Sequence, residues 1–214
     1  TALLEESIDA VIAALSERLS KVAQGDPALE NVRLGALVSA DQAADVRAKV
    51  EELCTEAEIV FGGDQDLPLV GLDSNAGAFY PATLLRCNSP MSAEKVHSVE
   101  AFGPVATVMP YTNLGEAIEL ARKGKGSLVG SVYTYDEGEA RTLILGAAPW
   151  HGRMLVLNRD CAGESTGHGA PLANMIHGGP GRAGGGEELG GARAIKHYLQ
   201  RTAIQGSPTS LMAI

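Results

Sequence analysis

The stretch PVATVMPYTNLGEAIELARKGKGSLVGSVYTYDEGEARTLILGAAPWHGRMLVLN, residues 104–158, decides the fold. "PVATVMPY", "LVGSVYT" and "RMLVLN" read as strands. Asn113 followed by Glu116 caps a helix ending in Lys123 and Lys125, the charge a helix carboxyl terminus favours. Asp136 with Glu139 starts a second helix through Leu143 and Ile144. Strand, helix, strand, helix and strand at a spacing of about 24 residues predict parallel strands joined by right-handed crossovers. The expected fold class is therefore α/β: a parallel-stranded sheet with flanking helices. Chemistry in such sheets collects beyond the carboxyl ends of the strands. Here those ends lead into "YTN", "TYD" and "NRDCAGESTGHG" at 158–169.

Upstream, Leu4, Ile8, Val11, Ile12, Leu15, Leu19 and Val22 fall at helical spacing, and Gly-Asp-Pro at 25–27 stops the run. Ser39 and Gln42 form a capping-box start for a helix whose apolar face is Ala43, Val46, Val50, Leu53, Cys54 and Ala57. "EIVFGG" and "ATLLRC" read as two further strands, separated by a Gly/Pro/Asp-rich crossing at 62–81. Downstream, 159–191 is a long polar, Gly-rich connection, too long for an ordinary loop. A helix "ARAIKHYLQ" follows it, then "RTAIQG" and a tail "SPTSLMAI" that needs something to pack against.

The composition is that of a globular protein of 214 residues, 45% apolar and 20% charged. A net charge of −9 argues against nucleic acid or an anionic membrane as partner. No apolar run reaches the roughly 18 residues that signal a membrane span, and the acidic, amphipathic amino terminus resembles no targeting peptide. Three widely spaced cysteines, Cys54, Cys87 and Cys161, suit neither a disulfide framework nor a zinc site and point to a cytoplasmic location. The chain starts without Met and within a few residues of a helix, so the expectation is a piece of a longer protein.

Within IHGGPGRAGGGEELGGAR (176–193), which holds eight glycines, Gly179, Gly181 and Gly184 satisfy G-x-G-x-x-G. The dinucleotide fingerprint also needs a preceding strand and an acidic residue about 20 positions on. "GHGAPLANM" is a poor strand and "HYLQR" has no carboxylate, so the pattern fails its context, and no Lys-Ser or Lys-Thr pair makes it a Walker loop. Asp160, Cys161, Glu164 and His168 lie within nine residues and could form a thiol nucleophile with His168 as base, or a loop of mutually bonded polar groups. His151, His168 and His177 have irregular spacing for a metal, and no metal site is expected. Cys54 and Cys87 read as small core filler, and Trp150 as packing. In "EAFGPV" (100–105) Glu100 offers two acceptor oxygens, enough for both hydroxyls of a ribose, and Phe102 a wall for an apolar ring. The same residues can equally be an exposed Glu and a core Phe.

At "VEAFGPVATV" the sequence resembles the aldehyde dehydrogenase superfamily, which carries Glu-x-Phe-Gly-Pro-Val. "QGDPALENVRLGALVS" looks like its Gly-Asp-Pro stretch, "EIVFGG" its Gly-Gly strand end, and "GRMLVLN" the strand ending in Asn. "FYPATLL" is similar to Phe-x-x-Pro-Thr-x-Leu with Ala82 inserted before Thr83, and "HGGPGRAGGGEELGG" replaces the family's Phe-Gly-Gly segment. "LNRDCAGESTGHGAPL" and "KHYLQRTAIQGSPTSLMAI" resemble the bifunctional branch of bacterial phenylacetate catabolism, where a dehydrogenase half precedes an oxepin-CoA hydrolase half.

The resemblance implies a partial catalytic domain at 1–197 and an oligomerisation strand and tail at 198–214, with 198–206 extending a neighbour's sheet in a homo-oligomer. It implies NADP- or NAD-dependent oxidation of an aldehyde, a CoA-linked semialdehyde in that branch. Glu100 matches the carboxylate on the nicotinamide ribose and Phe102 the ring beside the nicotinamide. Asn158, Cys161 and His168 match the substrate funnel, and the glycines at 178–191 a structural wall and hinge. The family's thiol nucleophile and base Glu fall upstream of Thr1, so no catalytic residue is expected here and the chain alone should be inactive. Two rival readings are a non-catalytic assembly module and a thiol hydrolase using Cys161 and His168.

Overall fold

Leu84 and Leu85 are adjacent, both buried, and belong to different clusters. Successive strand side chains point to opposite faces, so a strand with two buried faces needs cover on both. In the computed structural model, which describes residues 1–63, 68–73, 77–165, 167, 178–184, 199 and 202–214, that cover is two helices. α1 (Ile8–Leu19) brings Ile8, Ile12 and Leu15 to Leu84 and Val108. α2 (Ala40–Leu53) brings Val46, Val50 and Leu53 to Leu85 and Tyr80.

The described residues fall into two compact units, 1–112 and 113–214. In the first, β1 (Ala2–Leu4), β4 (Glu58–Phe61), β5 (Thr83–Arg86) and β6 (Val105–Tyr111) form a sheet in the order β1-β6-β5-β4. The β1–β6 and β5–β6 pairs are parallel and β4–β5 is antiparallel. β2 (Ala23–Gln24) and β3 (Val32–Leu34) make a separate parallel pair. α3 (Lys95–Ser98) is a single turn before β6. Thr83 ties β5 to the end of β4: its buried hydroxyl donates to Pro81 O (2.9 Å) and accepts from Gly63 N (3.1 Å). Gly62, at φ 73°, lies so close to the Ala82 carbonyl that no Cβ fits, which gives both motifs a structural reason.

In the second unit, α4 (Leu114–Lys123) precedes β7 (Ser127–Tyr133), α5 (Glu137–Ala147) and β8 (His151–Leu157). β9 (Ala203–Gln205) and α6 (Pro208–Ala213) complete it. The sheet order is β7-β8-β9, all parallel. Ala140, Ile144 and Ala147 of α5 pack on Met154 and Val156, two apart on β8. Asn113 and Asp136 cap their helices as expected, accepting from Glu116 N (3.0 Å) and Glu139 N (2.9 Å).

Several expectations are corrected. Residues 2–4 are a strand and not the first helical turn, because Leu3 packs into the α1–β5–β6 cluster from there. α1 ends at Leu19, where Ser20 turns its hydroxyl onto the Glu17 carbonyl, and Ala23 enters a strand. β6 and β7 lie in different sheets, so of the two expected crossovers only β7–α5–β8 joins neighbouring parallel strands. Cys54 is exposed rather than core filler: α2 ends at Leu53, and Cys54 is the C-cap residue beyond the helix that buries Ala43, Val46, Val50 and Leu53. Cys87 is buried as expected.

The strand expected at 198–206 to extend a neighbour's sheet pairs here with this chain's own β8, through Arg153, Met154 and Leu155. The tail packs on α5, with Arg141 Nε donating to Ile214 O (3.0 Å). Residues 203–214 thus lie within the compact unit 113–214. The helix expected at 192–200 lies outside the described residues, apart from Leu199.

Candidate functional site

Of the predicted site residues, Glu100 and Phe102 belong to the first unit and Asn158 and Cys161 to the second. In the first, the segment Val99–Phe102 alternates: Val99 and Ala101 pack on the Val46–Tyr80–Leu85 cluster, while Glu100 and Phe102 are exposed. Phe102 is 71% exposed, so the reading as a core Phe is overturned. A large aromatic ring and a carboxylate, two residues apart and both in solvent, stand on backbone that is held in place. Gln42 Nε2 donates to the Phe102 carbonyl (2.6 Å), and its Oε1 accepts from Val38 N (3.0 Å). Ser39 accepts from Gln42 N (3.1 Å), so the cap forms, with the Gln side chain reaching Val38 instead of Ser39. Pro104 O then accepts from Thr83 N (2.8 Å), which seats the segment at the amino end of β5 and β6.

The turn before this segment is fixed by Glu56. Its carboxylate accepts from the backbone N–H groups of Glu94 (3.1 Å), Lys95 (2.7 Å) and Val96 (3.2 Å), at the start of α3. Desolvation, the largest influence on this carboxyl, pushes its pKa up. The three amide donors and the Lys95 charge together outweigh it and leave the pKa below the ordinary Glu value.

In the second unit the carboxyl ends of β7 and β8 meet. The Tyr135 hydroxyl donates to Asp160 (3.1 Å), and the Arg159 guanidinium lies 4.1 Å from the Tyr135 ring centroid. Asn158, half-buried, donates through Nδ2 to Ser210 Oγ (3.4 Å) and accepts at Oδ1 from Asp160 N (3.0 Å). The Cys161 thiol, also half-buried, faces the carbonyls of Val156 and Asn158 (both 3.8 Å). Asn158 and Cys161 are therefore brought together at the strand end. His168 lies outside the described residues, as does His177. His151 is buried, its Nδ1 2.8 Å from the Ala147 carbonyl oxygen, and Trp150 is half-buried beside it. The other two thiols are weak acids: desolvation first and Glu51 second push Cys54 up, and burial first, with Glu56, pushes Cys87 up against one Ser89 N–H.

The described part of the Gly-rich stretch, 178–184, lies at the opposite end of the same sheet. Arg182 N donates to Lys125 O (3.1 Å), and Gly178 O presses against Gly152 so closely that no Cβ fits. These glycines pack backbone to backbone at the amino ends of β7 and β8, away from the end where parallel sheets bind ligands.

Sequence reading did not single out Glu56 or the Gln42–Phe102 bond. Gln42 carries a signal as a cap partner, but its reach to Phe102 spans 60 residues of chain. Glu56 is one carboxylate among several in "EELCTEAE" and carries none.

Comparison with known proteins gives these parts a context. Residues 1–204 match the model of the aldehyde dehydrogenase family. The chain is 54% identical to Protein MaoC of Klebsiella aerogenes over 182 residues, covering 85% of this chain and 52% of that protein. It is 42% identical to the 3,4-dehydroadipyl-CoA semialdehyde dehydrogenase of Aromatoleum evansii over 167 residues, covering 78% of this chain and 32% of that one. The chain thus spans about half or less of the length of these relatives. In fold it is similar to succinic semialdehyde dehydrogenase from Streptococcus pyogenes, solved with NADP+ (TM-score 0.70, 23% identity, 88% of this chain, 37% of that one). It is also similar to betaine aldehyde dehydrogenase from Staphylococcus aureus, solved with NAD+ (TM-score 0.73, 24% identity, 92% and 36%).

Proposed function

The chain belongs to the aldehyde dehydrogenase family, and from that premise we propose that it is the cofactor-facing and funnel-forming part of an NADP- or NAD-dependent aldehyde dehydrogenase. Its substrate is a CoA-linked semialdehyde of phenylacetate catabolism, oxidised to the acid. The observation that carries the reading is the outward pair Glu100 and Phe102 on fixed backbone. A ribose diol needs exposed acceptor oxygens and a nicotinamide ring needs an apolar wall, and this pair supplies both. When bound, the nicotinamide supplies the hydride acceptor. Support for the substrate comes from the Aromatoleum relative, which acts on a CoA semialdehyde by name, and from the resemblance of 157–172 and 196–214 to the phenylacetate branch.

Asn158, Cys161 and His168 line the funnel in this reading. Cys161 is lining and not nucleophile, because its thiol faces two carbonyl oxygens, which do not take a proton from it. With Cys54 and Cys87 pushed away from thiolate, the nucleophile is expected from outside these 214 residues, and the chain by itself is inactive. Homo-oligomeric assembly and a cytoplasmic location belong to the same proposal. Among the described residues no helix is long and apolar enough to cross a membrane.

The test is NAD(P)H formation from an aldehyde by this chain and by a protein extended upstream to the length of its relatives. Activity in the extended protein alone is the expected result. Activity in the short chain overturns the inference about its thiols and, if alkylation of Cys161 abolishes it, installs the thiol-enzyme reading. Inactivity in both favours a non-catalytic assembly module.

A further inference from the structure

The pair Glu100 and Phe102 stands on a segment that has almost no regular structure of its own. α3 is four residues, one turn, and a helix that short does not hold itself together in water. The three residues between it and Phe102 are neither helix nor strand. Their placement has to come from elsewhere, and it comes from α2 and the turn that follows it.

α2 meets the segment at three levels. At its first turn, Gln42 holds the Phe102 carbonyl at 2.6 Å. Along its middle, Val46, Val50 and Leu53 share a cluster with Val96, Val99 and Ala101, and Gly103 comes so close to Val46 that an added Cβ would lie 2.8 Å from Cγ2. Just past its end, Glu56 holds three successive amides of Glu94, Lys95 and Val96. Fourteen helical residues span about 21 Å at a rise of about 1.5 Å each. The segment is thereby fixed at both ends to one rigid rod. Of the two end contacts, that of Glu56 is ionic, and hydrogen bonds to a charged acceptor are roughly twice as strong as neutral ones.

We propose that Glu56 is a positioning residue for cofactor binding: by holding the first amides of α3 it sets where Glu100 and Phe102 stand. The inference rests on the reading above, in which that pair receives the nicotinamide and its ribose. Glu56 itself touches neither Glu100 nor Phe102 among its hydrogen bonds, so its effect is on geometry and not on contact with the cofactor.

The experiment uses the full-length protein that carries this chain, with the variants Glu56→Ala, Glu56→Gln and Glu100→Ala. NADPH and NADH affinity is read by fluorescence titration, the KM for the aldehyde by kinetics, and the amides of 94–102 by hydrogen exchange. Glu56→Ala is expected to weaken cofactor binding about fivefold to tenfold, to speed exchange across 94–102, and to leave the KM for the aldehyde unchanged. Glu56→Gln keeps one acceptor oxygen without the charge and should fall between. If Glu100→Ala weakens cofactor binding while Glu56→Ala speeds exchange and leaves affinity within about twofold, the positioning role is overturned and the reading of the site stands. If Glu100→Ala leaves affinity unchanged, the reading itself fails and takes the proposal with it. Should Glu56→Ala not fold, Glu56→Gln decides by the same criteria.

Discussion

Glu56 makes a prediction at the scale of a single carboxyl. Its pKa in the folded chain lies below the ordinary value, about 4.3 for Glu. A depressed carboxyl pKa contributes stability that is fully present above the ordinary value and lost as pH falls through the folded one. The urea midpoint of the wild type should therefore exceed that of Glu56→Gln near neutrality, with the gap closing below about pH 4; a gap that is constant with pH would count against the amide–carboxylate contact. Gly152 makes a steric one. An Ala there meets the carbonyl of Gly178, backbone that cannot rotate away, and overpacking of this kind costs about 1–3 kcal/mol. Denaturant unfolding of Gly152→Ala measures it. What was legible at this scale was residue type and not direction. Glu100 and Phe102 were marked by resemblance, but whether Phe102 faces core or solvent depends on α2, 50 to 60 residues earlier. Cys54 reads differently for the converse reason: it continues the apolar spacing in sequence, but the helix ends at Leu53 and leaves it exposed as the cap.

Elements were more readable, because their signals are local. Asn113 and Asp136 were expected to cap α4 and α5, and both side chains accept from the residue three further on. Replacing either by Ala should cost about 1 kcal/mol, seen as a lower urea midpoint; no change in the midpoint would mean solvent caps these ends as well. β5 through β8 lie where the period and the turn residues put them, give or take a residue or two. The misses are at short elements. β1 and β3 are three residues and β2 is two, lengths at which pairing partners and not composition decide the outcome. The uniform spacing of β6, β7 and β8 also concealed a break, since α4 begins a new unit and does not return the chain to the sheet it left.

Taken whole, the chain carries its apolar cores in two units. Ile8, Leu84 and Val108 with Val46, Leu53 and Leu85 make up the first, and Val132, Met154, Ile144 and Val156 the second. Ile144→Ala opens a cavity in the second core at a cost of about 2–5 kcal/mol. Native-state hydrogen exchange should show protection falling in β7 and β8 and holding in β5 and β6; equal loss in both would mean the units unfold as one. The sheet of the second unit also sorts its contents by end. At the amino ends of β7 and β8, glycines lock backbone against backbone with no room for a side chain. At the carboxyl ends, Tyr135, Asn158, Arg159 and Asp160 meet through side-chain and loop contacts in solvent. Such a layout puts the positions that tolerate no added side chain at one end of the sheet and the side-chain contacts at the other. Under the proposed funnel role, a laboratory seeking altered aldehyde preference would randomise 159–165 and leave the backbone-packed residues 125–127 and 178–184 untouched.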